Sequence, residues 1–286
     1  MTRSTAFEVI HRTRYRFSAP ATGSVLMCCL RPRHDRGQQL LAYSLETQPE
    51  SRTADEVDCF GNHRHVLSFL EEHDQLAIEA RSVVVPAAGP VLPADLGKNA
   101  WERLHAASRT FDDWDWLHPG RLTCPSTSLT AFLERHDIAP GADPLASARD
   151  LSRQLHRVLN YVPGSTSTQS TIEDILATGK GVCQDYTHLM IAITRSWGIP
   201  SRYVSGFLCP DGEDAGSHTT HAWVECRFPG VGWTGFDPTN DSIVDASHIR
   251  IATGRDFSDV SPTRGILLGG GGTTLDVKVT IRPAGT

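Results

Sequence analysis

Cys183 stands in the stretch GKGVCQDYTHLMIAITRSWGIP, residues 179–200, between glycines and the first turn of an apolar run. A cysteine inside a protein is ordinarily a small apolar filler. This one is placed where a thiol can be made reactive. Tyr186, Leu189, Met190, Ile193 and Trp197 recur at helical spacing, and Gly198 and Pro200 end the run. Cys183 therefore falls at, or just before, a helix N-terminus. A free thiol with a pKa of about 8.5 is mostly protonated at neutral pH. Unpaired N–H groups at a helix start favour the thiolate, and an adjacent imidazolium favours it more.

A candidate imidazole is His221, which opens the strand-like segment 221-HAWVECRF-228. Alternation assigns Ala222, Val224, Cys226 and Phe228 to the core face and puts His221 with Trp223 and Glu225 on the other. Such a base needs an orienting group on its second nitrogen. Pro229 to Gly232 reads as a turn, and the return strand 233-WTGFDPTN-240 brings Asp237 up before Pro238. His221 and Asp237 share a face if the pairing register sums to an even number, which the sequence does not fix. Each residue also has a plainer explanation: a core thiol, a histidine bonded to backbone, an aspartate shaping a turn. The ordered set of helix-start Cys, strand His and next-strand Asp points to nucleophilic thiol chemistry. His218 and His221 with Cys183 form a weaker zinc alternative, since a second cysteine pair is missing.

Elements must position these groups. Residues 7–85 carry strand-like segments, with Phe60-Gly61-Asn62 marking a hairpin turn, and an antiparallel β domain is the economical reading. Residues 86–97, rich in Pro, Gly and Ala, form a boundary. The expected division is therefore an N-terminal β domain over 1–90 and a core over 91–286, of which 91–140 connects the two. Trp114 and Trp116 in FDDWDWLHPG read as cover for a domain interface rather than a substrate wall. A helix is expected over 145–161, stopped by Pro163 and Gly164. A second short helix is expected from Thr171, with Asp174 as capping-box partner and Gly179 at its end. RYVSGFLC reads as a strand and PDGEDAGSHTT as a polar loop. The glycine run 269–272 turns into a last strand, LDVKVTIRP. The fold class is α+β.

Composition narrows the partners. With 286 residues, a net charge of −6 and no basic block, the chain does not read as a nucleic-acid or membrane-surface binder. No apolar run approaches the roughly 20 residues of a membrane span, and the N-terminus lacks the apolar core of a secretion signal. Seven cysteines, none in a C-x-x-C pair, read as reduced thiols in a cytoplasm.

At GKGVCQDYTHLMIAITRSWGIPSRYVSGFL and HAWVECRFPGVGWTGFDPTN the chain resembles the bacterial transglutaminase-like superfamily, a branch of the papain-like cysteine enzymes. HRTRYRFSAP through DCFGN resembles the β domain that precedes the core in many bacterial members, and GRDFSDVSPTRG the loop that often follows. The resemblance implies a nucleophile at Cys183, its base and acid at His221 and an orienting carboxylate at Asp237. It also implies a thiol-bearing helix packed on an antiparallel sheet, a peptide or protein substrate, and a thioester intermediate. Cysteine peptidase or amidase activity is the expected outcome. Transfer to an amine is one alternative and a non-catalytic peptide-binding module another. The animal cross-linking enzymes carry tryptophan after the nucleophile, where this chain has Gln184 and Asp185. They also use calcium, and no loop here has calcium-ligand spacing, so neither a cofactor nor a metal is expected. Backbone N–H groups at the helix start would steady the oxyanion, with Gln184 or Tyr161 as second donor. Trp223 could shield the thioester or simply pack. Asp185, so near the thiol, is expected to point away and bond a loop.

Overall fold

The computed structural model describes residues 5–209, 217, 218 and 220–284. Five strands come first: β1 (Phe7–Cys28), β2 (Gln39–Gln48), β3 (Arg52–Val57), β4 (His63–Phe69) and β5 (His73–Val85). Helices α1 (Ala100–Ala107), α2 (Trp114–Leu117), α3 (Thr127–Arg135) and α4 (Pro144–Val158) follow. Then come β6 (Asn160–Tyr161), α5 (Ile172–Thr178), β7 (Lys180–Gly181), α6 (Cys183–Ser196), β8 (Ser201–Leu208) and β9 (Ser217–His218). The chain closes with β10 (His221–Phe228), β11 (Gly232–Asp237), β12 (Ser242–Ile243), β13 (His248–Gly254), α7 (Phe257–Val260), β14 (Thr263–Gly269) and β15 (Thr273–Pro283).

The 22-residue β1 organises the first sheet. Its first half pairs with β5 and its second half with β4, both antiparallel. Leu26, Cys28, Leu67, Phe69, Leu76 and Ile78 bury the inward rows in a small core of their own. The hairpin between β3 and β4 is closed by Asp58, whose Oδ1 accepts the N–H groups of Phe60 (2.9 Å) and Asn62 (2.8 Å). Gly61 takes the positive φ of 76° that the turn requires.

The expected boundary needs a correction. β1 has two edges, and β5 with β4 fill one of them. The other is filled from the far end of the chain, by β14 on the second half and β15 on the first. Residues 263–283 thus complete the N-terminal sheet, and Val279 and Ile281 of β15 also join the main hydrophobic core. β9 adds to the outer edge of β15 and so ties the approach to His221 onto that sheet. The polar loop expected before His221 otherwise lies outside the described residues.

The core sheet runs β12-β11-β10-β8-β13, with every neighbouring pair antiparallel. α6 packs on β10 and β8. It is buried on almost all sides rather than along one stripe, because α4 and α5 cover the face turned from the sheet. Leu189, Met190 and Ile193 are fully buried, each contributing about 1.5–3 kcal/mol. Two expected helix boundaries are met at α5: Thr171 N–H donates to Asp174 Oδ2 (2.9 Å), and Gly179 ends the helix in the left-handed region. α4 starts one residue earlier than expected, on Pro144, with Asp143 Oδ1 accepting from Leu145 and Ala146. It stops at Val158, and Asn160–Tyr161 instead forms a short parallel pair with Lys180–Gly181. Trp116 meets Phe60 of the first sheet and Trp233 of the core at centroid distances of 5.2 and 5.7 Å, the interface role its position suggested. Trp114 is 57% exposed and stacks on His118.

Candidate active site

α6 begins at Cys183, which is partly exposed. The first N–H groups of a helix lack intrahelical partners; here Asp185 N–H and Tyr186 N–H donate to Val182 C=O at 2.9 and 3.2 Å. Asp185 holds that first turn: its Oδ2 accepts Val182 N–H (2.8 Å) and the Thr166 hydroxyl (2.6 Å). The carboxylate faces a loop, as expected, and not the thiol. Burial raises its pKa, against these hydrogen bonds. The close approach also requires Gly181, where a Cβ would lie 2.8 Å from Asp185 Cβ.

His221 and Asp237 share a face. Val224 pairs with Phe236, an even register sum, which makes His221 and Asp237 diagonal neighbours. His221 Nε2 donates to Asp237 Oδ2 at 2.7 Å. Cys183 lies near enough to the ring for the thiol to favour its charged form. Burial opposes the charged ring, but the Asp237 hydrogen bond and the neighbouring thiol outweigh it and push His221 up to about 9. Asp237 is fully buried. Burial alone would raise its pKa, yet the donors around it hold it well below the ordinary carboxylate range. Its Oδ1 accepts Thr239 N–H (3.0 Å) and Asn240 N–H (3.3 Å), and its Oδ2 also accepts Asn240 Nδ2 at 2.7 Å.

The parity assigned to β10 holds, but both of its faces are buried. Ala222, Val224, Cys226 and Phe228 join the main core. On the opposite face Glu225 is buried against Arg202 (Nε 2.9 Å), Arg250 (3.4 Å) and Arg36 (3.4 Å). Trp223 is fully buried, so it packs beneath His221 (centroids 6.3 Å) and cannot face a substrate. Its ring lies over Gly206, where a Cβ would come within 2.5 Å of the indole.

The two candidate donors separate. Gln184 is buried and its Nε2 donates to Ser167 C=O (3.3 Å), which turns the amide away from the thiol. Tyr161 is 51% exposed and close enough to Cys183 for the thiol's charge, after burial, to raise the phenol pKa. The β6–β7 pairing keeps it there, with Val162 N–H on Gly181 C=O at 2.9 Å. Two groups escaped the sequence reading: Asn240, three residues after Asp237, and His248, whose Nε2 lies 3.5 Å from Asp237 Oδ2. The adjacency of Asn240 in DPTN was a usable signal; His248 had none. The zinc alternative needs His218, whose side chain lies outside the described residues. Among the described residues no group of three or more His, Cys, Asp or Glu side chains is gathered for a metal. No described helix is long and apolar enough to cross a membrane.

Cys183 thus opens a helix, and His221 is held by a buried carboxylate. The family model of the bacterial transglutaminase-like N-terminal region matches residues 7–85, and that of the transglutaminase-like superfamily matches residues 135–238. The chain belongs to the transglutaminase-like superfamily. An uncharacterized protein of Mycobacterium leprae is 34% identical over 278 residues, spanning 96% of this chain and 97% of that one. A segment of 97 residues, 31% of this chain, is 32% identical to part of a protein-glutamine gamma-glutamyltransferase of Pseudomonas aeruginosa, of which it covers 14%. The solved structure of a candidate cysteine protease from Cytophaga hutchinsonii superposes with a TM-score of 0.76 at 19% identity, covering 100% of this chain and 92% of that one, and shares the fold.

Proposed function

We propose that the chain is a thiol-dependent acyl-transfer enzyme that hydrolyses amide bonds of a peptide or protein through Cys183, His221 and Asp237. The observation that carries this reading is His221 held at 2.7 Å by a buried carboxylate, with the helix-start thiol of Cys183 near enough to favour the charged ring. With His221 pushed up to about 9, the imidazole carries a proton at neutral pH that it can give to a leaving group. The sulfur attacks the substrate carbonyl carbon and the carbonyl oxygen becomes an oxyanion. Helix-start N–H groups stabilise it, each donor typically worth roughly 3 kcal/mol. Tyr161 is the side-chain donor best placed to assist. The C–N bond then breaks as His221 gives its proton to the departing amine, leaving a thioester and a neutral imidazole. Water loses a proton to His221 as it attacks, releasing the acid and restoring the thiol pair.

Transfer to an amine instead of water is the second reading. The stretch shared with the Pseudomonas aeruginosa gamma-glutamyltransferase favours it. Both readings share the acyl-enzyme. At pH 6, iodoacetamide should alkylate Cys183 at least about tenfold faster than exposed Cys59 and Cys124. Equal rates would sink both. A glutamine peptide with a labelled amine then separates them: amine incorporation means transfer, and ammonia or cleavage without incorporation means hydrolysis.

A further inference from the structure

We propose that His248 is a positioning residue for this chemistry, setting how strongly Asp237 holds the His221 imidazolium; the role rests on the triad reading above. Asp237 Oδ1 is saturated by backbone, so its hold on His221 is governed at Oδ2. Three side-chain nitrogens converge there: His221 Nε2 and Asn240 Nδ2 at 2.7 Å each, and His248 Nε2 at 3.5 Å. His248 is 4% exposed, and its Nε2 has no hydrogen-bond partner of normal geometry among the described residues. A buried ring nitrogen without a partner is costly. The carboxylate 3.5 Å away is the acceptor within reach.

The partners on the other side of the ring are compatible with a hydrogen on Nε2. Nδ1 lies 3.0 Å from Ser247 Oγ, 3.3 Å from Asp245 Oδ1 and 3.4 Å from Asp245 N. In the neutral ring Nδ1 accepts from Asp245 N–H or the Ser247 hydroxyl, and Nε2–H is aimed at Asp237. In the charged ring Nδ1–H donates to Asp245, and the cation lies between two carboxylates. Both forms present a hydrogen to Asp237 Oδ2. A donor there draws carboxylate charge away from His221 and loosens its hold on the His221 proton. Trp223 meets the ring edge-on at 5.2 Å and keeps it from turning. Among the described residues, the charged groups around His248 are Asp237 from β11, Asp245 from the turn before β13, and Arg36, Glu225 and Arg250 across a cavity of about 100 Å³ that Trp233 also borders. The arginines are engaged with Glu225, so the ring's own opposite charges are Asp237 and Asp245.

The test is the pH dependence, from pH 5 to 10.5, of Cys183 alkylation by iodoacetamide in the full chain, comparing wild type, His248→Leu and His248→Gln. In the wild type the rate plateau should change near pH 9, where the imidazolium is lost. His248→Leu should move that change upward by about half a pH unit or more. His248→Gln, whose amide N–H reaches where Nε2–H stood, should bring it back to about the wild-type position. A leucine profile superimposed on wild type would overturn the role, and so would a glutamine variant that behaves like leucine. If His248→Leu does not fold, His248→Asn, too short to reach Asp237, supplies the same contrast with glutamine. A wild-type thiol no faster than Cys59 or Cys124 overturns the triad reading and this role together, whereas fast alkylation with no His248 dependence overturns the role alone.

Discussion

His188 and His221 are two imidazoles of the core whose basicities differ in opposite directions from an ordinary histidine. His188 lies on α6, five residues after Cys183, and its Nε2 accepts Phe257 N–H at 3.1 Å. Its Nδ1 has no partner among the described residues, and the ring packs on Tyr203. Burial pushes it down to about 3; the charge of Asp256 opposes this, and Arg195 and Arg121 reinforce it. His221, somewhat less buried, also pays for burial yet rises to about 9, because one nitrogen donates to Asp237 and the nearby thiol favours the charged ring. Burial sets only the cost of the charge. What each nitrogen touches decides the sign. The thiols differ in setting: Cys226, sealed in the core, is pushed up to about 12 by burial, while Cys183 is partly exposed at the start of a helix.

The largest effect should come from making His221 resemble His188. Asp237→Asn keeps volume and removes the charge that holds the imidazolium. Cys183 alkylation at pH 7 should fall by about two orders of magnitude or more, equivalent to roughly 3 kcal/mol. Stopped-flow or mass-resolved alkylation measures this directly. A rate within threefold of wild type would break the comparison, because His221 would then be basic without its carboxylate.

The parts of this contrast that were legible in the sequence are those with local signatures. Helix punctuation placed Cys183, β alternation placed His221, and the turn before Asp237 placed the carboxylate. Pairing parity was not legible, since it depends on the turn between β10 and β11, where Gly230 and Gly232 adopt positive φ. Groups brought from distant segments were also hidden. His248 follows Asp237 by eleven residues and arrives from a different strand. β14 and β15 complete the first sheet because β1 leaves an edge open, which no local pattern in either strand announces. Trp223 lay on the face turned from the core, so a substrate contact looked open to it. That face is buried because Arg36, Arg202 and Arg250 converge on Glu225 from three separate segments.

The two imidazoles should also give stability opposite pH slopes. An unfolded histidine titrates near 6.5. His188, lowered to about 3, contributes stability that is present above pH 6.5 and lost as pH falls toward 3. His221, raised to about 9, contributes stability that is present below pH 6.5 and lost as pH rises through 9. Each contribution is on the order of a few kcal/mol. Urea midpoints at pH 5, 7 and 9 should show a flattened acid side in His188→Gln and a flattened alkaline side in His221→Gln. Some acid-side slope should survive in His188→Gln, because His11, lowered to about 4 by burial, adds to it. Identical pH curves for both variants would mean that the two environments do not differ as described.

The smallest effect concerns Asp185, a carboxylate close to Cys183 in sequence. Asp185 lies two residues from Cys183, and an anion aimed at the sulfur would oppose the thiolate that His221 supports. Its Oδ2 instead caps Val182 N–H and binds the Thr166 hydroxyl. Asp185→Asn keeps an acceptor there, so Cys183 alkylation at pH 7 should change by less than about threefold, under roughly 1 kcal/mol. The helix start loses a favourable charge worth about 0.3–1 kcal/mol, which should appear as a small drop in the urea midpoint. An alkylation rate that instead rises by orders of magnitude would put the carboxylate against the sulfur. The basicity of His221 would then be compensating for a hostile neighbour as well as serving the thiol.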